Sequence, residues 1–170
     1  FMYGHPGKKL LFMGQEFAQF REWSEARSLD WNLLGEERNH QMQDYVKALN
    51  KLYQEYDALY ANDFDPIGFE WMSCENADMS VVTFVRRGST AKKQLLFLCN
   101  FTPVTREDML FGVPCPGTYK DEERFGGTGI VNPKVLTAKE EPCDGRNYSI
   151  RMTLPPLSVT IYEYDYRENK

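Results

Sequence analysis

The sequence predicts a mainly β protein, in which a carboxyl-terminal antiparallel β-sandwich follows a segment made of one strand, a loop and one helix. Two periodicities carry this prediction. After about residue 66 apolar residues alternate with polar ones, which is the period of strands with one buried face. Before residue 60 a short apolar run is followed by apolar residues spaced three and four apart, which indicates a buried strand and then a helix. A turn cluster at residues 62–66 separates the two regions, so we predict domains at 1–60 and 61–170.

The second domain is predicted from short alternating segments divided by Gly, Pro and Asn clusters, a pattern typical of an antiparallel sandwich. About 100 residues are enough for such a domain to hold its own core. Trp71 shares a strand face with Ile67 and Phe69, and we therefore expect it in the core. No strand is assigned with certainty at 117–124. The alternating segments are residues 67–71, 79–85, 95–101, 148–154 and 157–161.

The first domain begins with an apolar run at residues 10–13 that stops at Gly14. Such a run is typical of a strand buried on both faces, as in parallel sheets. It fits the last strand of a parallel barrel followed by a loop on the functional side, or an ordinary core strand followed by a surface loop. An apolar stripe then predicts a helix over 37–56. The residues of the stripe are Met42, Tyr45, Val46, Leu49, Leu52, Tyr53 and Tyr56.

Composition excludes several classes of function. The net charge is −5, and the acidic and basic residues are interspersed without a basic stripe, so we expect no nucleic-acid partner. No apolar stretch approaches the roughly 20 residues of a membrane span. The four cysteines, Cys74, Cys99, Cys115 and Cys143, form no C-x-x-C pair. We therefore expect no metal site and no cofactor, reduced thiols and a cytoplasmic location.

Residues 5–17 resemble the eighth barrel strand of the 1,4-α-glucan (glycogen) branching enzymes of the α-amylase superfamily. Six further motifs of that family recur in order along the chain, at residues 21–23, 26–31, 68–71, 99–104, 125–129 and 154–158. This resemblance implies the last strand and helix of a (β/α)8 barrel, followed by the family's all-β domain. Since the chain opens on Phe1 and enters the apolar run within ten residues, we expect a carboxyl-terminal fragment of a longer protein.

The resemblance also implies an activity for the parent protein: transfer of an α-1,4-glucan segment to a 6-hydroxyl, which forms the α-1,6 branches of glycogen. Retention at the sugar carbon needs two carboxyl groups about 5–5.5 Å apart. The family carries them on earlier barrel strands, so we assign no catalytic residue here and expect the fragment alone to be inactive. Its expected partners are an α-glucan, through the parent enzyme, and the missing amino-terminal barrel. The alternatives are an independent glucan-binding β-sandwich module, or the same region of a debranching or trehalose-releasing relative.

Three residues of the loop after the apolar run are candidates for a supporting or substrate-binding role. Glu16 follows Gly14 in a pattern that resembles a superfamily motif whose acidic residue supports the rim of the active site. Trp23 stands among charged residues and is a candidate platform for a sugar ring, whereas Trp31 is expected to anchor the loop by packing. The nearby carboxylates of Glu22, Glu25 and Asp30 are expected to pair with Arg21 and Arg27. An isolated barrel strand has unpaired backbone groups, so we expect residues 1–35 to be poorly ordered, docked on the sandwich or paired with another molecule.

Overall fold

The computed structural model describes residues 1–121 and 132–166. The chain forms two compact units. Unit 1 combines the first segment, Phe1–Gly7, with the chain from Tyr56 onward, and unit 2 is Lys8–Glu55. In the described part of the chain, no helix is long and apolar enough to cross a membrane. The glycine-rich motif at residues 125–129 lies outside the described residues.

Unit 1 contains two antiparallel sheets, which confirms the mainly β prediction for this part of the chain. The larger sheet has the strand order β1-β2-β3-β8-β5-β6, and β4 pairs with β7 in the smaller one. All five predicted alternating segments overlap strands. The strands are β1 (Phe69–Ser73), β2 (Val81–Arg86), β3 (Gln94–Asn100), β4 (Arg106–Val113), β5 (Thr118–Asp121), β6 (Val135–Thr137), β7 (Tyr148–Leu154) and β8 (Ser158–Tyr164).

The core of unit 1 lies between the two sheets. Val85 and Leu96 from the larger sheet belong to the same buried cluster as Phe111 and Ile150 from the smaller sheet. These residues follow the alternation of their strands, because successive side chains point to opposite faces of a sheet. The hydrophobic burial that stabilises this unit is therefore concentrated between the sheets.

The opposite face of the larger sheet is also covered, by the first segment and by the turn before β1. The rings of Phe84 and Phe97 stack with centroids 4.8 Å apart, and Phe1 meets Phe84 edge-on at 5.9 Å. Gly4 lies so close that a Cβ there would come within 2.5 Å of the Phe97 ring. This cover explains why every residue of β3 is buried although its residues alternate between two faces.

Trp71 does not lie in the core, and the expectation of core packing was wrong. It is paired with Phe84 across β1 and β2, so it lies on the face of the sheet that points away from the smaller sheet. Its neighbour Met72 joins the core instead, and Trp71 remains 41% exposed. The physical reason is that the alternation gives two faces without saying which one is buried, and β1 is an edge strand with an irregularity after Trp71.

Unit 2 consists of turns followed by one helix, α1 (Glu37–Glu55), which confirms the helix predicted over 37–56. Two 3₁₀ turns precede it, at Gln15–Phe17 and Trp31–Gly35. The strand predicted at residues 10–13 is not formed. Leu10 is 74% exposed, and the described residues of unit 2 offer no strand with which this run could pair. An apolar run takes up strand hydrogen bonding only where a neighbouring strand supplies donors and acceptors.

Candidate functional site

The candidate loop starts at a tight turn around Glu16. Gly14 has a φ of +89°, in the left-handed region that favours glycine. The backbone N–H of Gly14 donates to Oε2 of Glu16 at 2.9 Å, and the N–H of Phe12 donates to Oε1 of Gln15 at 2.8 Å. The half-buried carboxylate of Glu16 thus stabilises the turn that begins the loop.

A buried asparagine on α1 holds the end of this turn. The side-chain amide of Asn39 is buried and donates to the carbonyl oxygens of Phe17 at 2.8 Å and Ala18 at 3.1 Å. Ala18 has a φ of +55°, so its carbonyl is presented from a left-handed residue. Sequence reasoning missed Asn39. The available signal was its position, three and seven residues before Met42 and Val46, which places an amide on the apolar stripe of the helix.

Gln19 fixes the middle of the loop. Its Oε1 accepts from the backbone N–H of Asp30 at 2.8 Å, and its Nε2 donates to the carbonyl of Arg21 at 2.9 Å. One side chain thereby joins positions eleven residues apart. Sequence reasoning missed Gln19 as well, because no local pattern marks a glutamine that bonds to a distant backbone.

The two candidate tryptophans make different ring contacts. Trp31 packs on Phe17 with centroids 5.1 Å apart, and it is 50% exposed. Trp23 meets Phe12 edge-on at 5.5 Å and is 38% exposed. Phe17 directly follows Glu16, and Phe12 bonds to Gln15 in the same turn, so each indole contacts a ring beside the turn of Glu16. Both indoles keep accessible surface, which a sugar-stacking platform requires.

The charged residues of the loop do not form the expected salt bridges. Among the described residues, no ion pair within 4.0 Å involves the carboxylates of Glu22, Glu25 or Asp30. Glu22 and Glu25 are exposed, where pairing of long side chains contributes little. The carboxylates of Glu22 and Glu25 are therefore solvated, and that of Asp30 is half-buried.

An exposed apolar surface adjoins these residues in sequence. Leu10, Phe12, Met13 and Phe20 are all exposed, and Phe20 reaches 79%. Most soluble monomers leave only small contiguous apolar patches in water, and larger ones mark surfaces of interaction. These exposed apolar side chains make this part of unit 2 a candidate surface of interaction.

Known proteins resemble the chain along almost its whole length. It is 48% identical to the 1,4-alpha-glucan branching enzyme GlgB of Rubrobacter xylanophilus over 95% of this chain and 23% of that protein. It is 43% identical to the enzyme of the same name from Butyrivibrio fibrisolvens over all of this chain and 27% of that protein. It is 45% identical to the enzyme of the same name from Bacillus caldolyticus over 95% of this chain and 25% of that protein. The chain thus spans about a quarter of the length of these relatives.

A family-level comparison covers the second half of the chain. Residues 71–165, which include strands β2 to β8 and the last three residues of β1, match the family described as alpha amylase, C-terminal all-beta domain. The two antiparallel sheets and the shared core agree with that description. The chain belongs to the alpha amylase C-terminal all-beta domain family.

Proposed function

We propose that this chain is the carboxyl-terminal portion of a 1,4-alpha-glucan branching enzyme, a glycosyltransferase of glycogen synthesis. One observation carries the proposal: the similarity to branching enzymes runs through unit 2 as well as through the all-β part. If the chain shared only its all-β domain with other carbohydrate enzymes, or with a detached binding module, the similarity would be confined to residues 71–165. In this proposal residues 1–60 are the end of the catalytic barrel, and residues 61–170 are the all-β domain.

The chemistry of the parent assigns this chain a supporting role. Transfer of an α-1,4-glucan segment to a 6-hydroxyl with retention proceeds through a covalent glucosyl-enzyme and needs two carboxyl groups. We propose that both groups belong to the earlier barrel strands, so the fragment alone has no branching activity. The exposed apolar run at residues 10–13 supports this proposal, because a barrel would bury it as its last strand.

Within the barrel, we propose that Glu16 supports the rim of the active site through the Gly14 turn, and that Trp23 and Trp31 contact the glucan. The accessible indole surface supports the role of the tryptophans. The free thiols of all four cysteines agree with a reducing compartment, so we propose that the reaction takes place in the cytoplasm.

Reconstitution of the parent enzyme tests the proposal. The chain is co-expressed with the missing amino-terminal part, and branching is followed as the fall in iodine staining of amylose. We expect activity from the pair and none from either part alone. A folded, stable complex that never lowers the staining would contradict the proposal.

The loop residues are tested in the same reconstituted enzyme. We expect Trp23→Ala and Trp31→Ala to raise KM for amylose, and Glu16→Gln to lower kcat. Arg38→Ala serves as the control, since Arg38 is exposed on α1 and has been given no role. Unchanged kinetics in all three loop variants would remove these residues from the glucan site.

Migration of the isolated chain in native gels containing glycogen tests the independent-module alternative. Trp71 is exposed on the sheet, so it is the candidate platform of unit 1. Retardation that is lost in Trp71→Ala and kept in Trp23→Ala would assign glucan binding to the all-β part. Unchanged migration of the folded chain would leave that part with a scaffolding role.

A further inference from the structure

The loop of unit 2 that carries Trp23 is tied to the turn before it by one long-range hydrogen bond. Among the described residues, all other hydrogen bonds of residues 21–30 join groups two or three positions apart, such as the 3.4 Å bond from the N–H of Arg27 to the carbonyl of Ser24. The exception is the backbone N–H of Asp30, which donates to Oε1 of Gln19 at 2.8 Å across eleven residues. Because local bonds move with the loop, this bond is the one that fixes where the loop ends.

Gln19 is itself anchored on the turn that holds Glu16. Its backbone N–H donates to the carbonyl of Gly14 at 3.0 Å. Its side chain lies directly over Gly14, because a Cβ on that glycine would come within 2.9 Å of the Cβ of Gln19 and 3.2 Å of its Oε1. The N–H of the same glycine donates to the carboxylate of Glu16 at 2.9 Å. The amide of Gln19 therefore has a fixed position relative to the turn of Glu16.

The amide of Gln19 closes the loop from both sides. Its Nε2 donates to the carbonyl of Arg21 at 2.9 Å, where the loop begins, and its Oε1 accepts from Asp30, where the loop ends. An amide suits this task because it carries a donor and an acceptor on one rigid group. Asp30 directly precedes the 3₁₀ turn Trp31–Gly35, and its own side chain makes no capping hydrogen bond there. The start of this turn therefore depends on Gln19 for its position.

Trp31 is placed by two contacts of different kinds. Its indole packs on the ring of Phe17 with centroids 5.1 Å apart and stays 50% exposed. Ring packing is only weakly directional, whereas the hydrogen bond between Asp30 and Gln19 has a defined distance and angle. A binding surface that is held in place before the ligand arrives loses less conformational entropy on binding. The geometry thus links the side chain of Gln19 to the readiness of Trp31 for a ligand.

We propose that Gln19 is a positioning residue for substrate binding, which holds Trp31 against the turn of Glu16 by accepting the N–H of Asp30. The inference rests on the proposed function, in which Trp31 contacts the glucan. Gln19 does not touch the sugar in this arrangement. It acts by raising the fraction of molecules in which Trp31 is already in place, and the apparent affinity falls in proportion when that fraction falls.

Kinetics of Gln19→Met in the reconstituted enzyme test the proposal, because methionine keeps the side-chain length and the backbone N–H and removes both amide bonds. We expect KM for amylose to rise about threefold to tenfold, the range for loss of one neutral hydrogen bond. The kcat should stay within about twofold of wild type, because Glu16 keeps its own bond and the lost interaction is one of binding alone. Gln19→Glu keeps an acceptor for Asp30 and should raise KM less.

Gln41→Met is the matched control, since Gln41 is an exposed glutamine of α1 that donates to Glu37 at 3.1 Å. It should leave both KM and kcat unchanged.

Two further measurements identify the route of the effect. In enzyme that already carries Trp31→Ala, adding Gln19→Met should change KM by less than about twofold, because the residue through which Gln19 acts is gone. In the 170-residue chain, Gln19→Met should speed hydrogen exchange of the Asp30 amide by about threefold to tenfold, and Gln41→Met should not.

The outcomes separate this proposal from the proposed function. An unchanged KM for Gln19→Met, in an enzyme that branches amylose, overturns the positioning role and leaves the branching function standing. A KM rise of equal size with and without Trp31→Ala overturns it as well, because Gln19 would then act through another group. A larger rise in Gln19→Glu than in Gln19→Met would reject the bond to Asp30 as its basis. A folded complex that never branches amylose rejects the branching function, and the positioning role falls with it.

Discussion

At the scale of single residues, the most consequential side chain is Arg86, which is fully buried in unit 1. Its Nη1 donates to the carbonyl of Gly4 at 2.8 Å and its Nε to that of Gly68 at 3.2 Å, and Nη2 pairs with the buried carboxylate of Asp63. One guanidinium therefore joins the first segment, the turn before β1 and strand β2. A buried charge is stable only when it is paired and hydrogen-bonded in this way.

Arg86→Met should lower the free energy of unfolding of unit 1 by about 3–5 kcal/mol, because it leaves Asp63 as an uncompensated buried charge. Urea denaturation followed by circular dichroism measures the change. Lys92→Met, which removes an exposed cation of the same unit, should stay within about 0.5 kcal/mol of wild type. Equal effects of the two substitutions would contradict the buried role of Arg86.

Glu70 gives the stability a dependence on pH. Burial by itself would raise the pKa of Glu70, but hydrogen bonds and charges from Arg87 and Arg146 outweigh burial and hold the pKa below its ordinary value. A carboxyl group with a lowered pKa stabilises the folded state fully above its unfolded pKa, near 4.5. The contribution is then lost as pH falls through the lower pKa of the folded state.

We therefore expect Glu70→Gln to be less stable than wild type at pH 7, with a difference that shrinks as the pH approaches 3. Urea titrations at several pH values measure it. Glu75→Gln is the control, since Glu75 is exposed and forms no ion pair within 4.0 Å among the described residues. A Glu70→Gln difference that is constant from pH 7 to pH 3 would show that the carboxylate charge is not what stabilises the cluster.

At the scale of elements, α1 determines the shape of the loop through Asn39. Asn39→Ala removes the donor from two carbonyls and should destabilise the Gln15–Phe17 turn by about 1–3 kcal/mol. Faster hydrogen exchange of the Gln19 amide, which bonds to the carbonyl of Gly14 at 3.0 Å, would report the loss. Asn32→Ala, an exposed amide of the same unit, should leave that exchange rate unchanged, and equal acceleration in both variants would contradict the role of Asn39.

The elements with a clear period could be predicted from the sequence, and those without one could not. The helix at 37–55 and strands such as β3 follow from spacing alone. β6 is three residues long, too short to show a period, and β4 contains an irregular register and a left-handed residue, Asp108. The run at residues 10–13 has the composition of a strand, but pairing depends on neighbours that a local pattern does not include.

The residues of the candidate site likewise include some that could be predicted from the sequence and some that could not. Glu16, Trp23 and Trp31 could be proposed because their residue types and a family resemblance drew attention to the loop. Asn39 and Gln19 hold that loop through hydrogen bonds to backbone atoms 11 to 22 residues away. Such bonds depend on how the chain turns, and a sequence pattern of a few residues does not contain that information. The face occupied by Trp71 could not be predicted for the related reason that alternation is symmetric.

At the scale of the whole molecule, unit 2 presents apolar surface to water at Leu10, Phe12 and Phe20. We expect the isolated chain to self-associate, because association removes this surface from water. Leu10→Ser combined with Phe20→Ser should shift the chain toward monomer in sedimentation velocity. Phe64→Ser, which removes one exposed ring of unit 1, is the control and should change the distribution less.

Hydrogen exchange of the same samples tests the structure of residues 10–13. We expect fast exchange of these amides in the monomer, since they have no strand partner among the described residues. Strong protection in a sample that sedimentation shows to be monomeric would contradict the structure described here. Protection that appears only on association would identify the run as the contact between copies.

The close approach of Gly4 to Phe97 also determines when, during synthesis of the chain, the first segment can pack. Unit 2 lies, in sequence, between the two parts of unit 1, so the first segment leaves the ribosome about 90 residues before the ring that it covers. At a rate of protein synthesis of roughly 5–20 residues per second, Phe97 is synthesised on the order of 5–20 s after Gly4. During that interval Phe1 is available to chaperones and to wrong partners, and a substitution at Gly4 would take effect only after β3 has emerged.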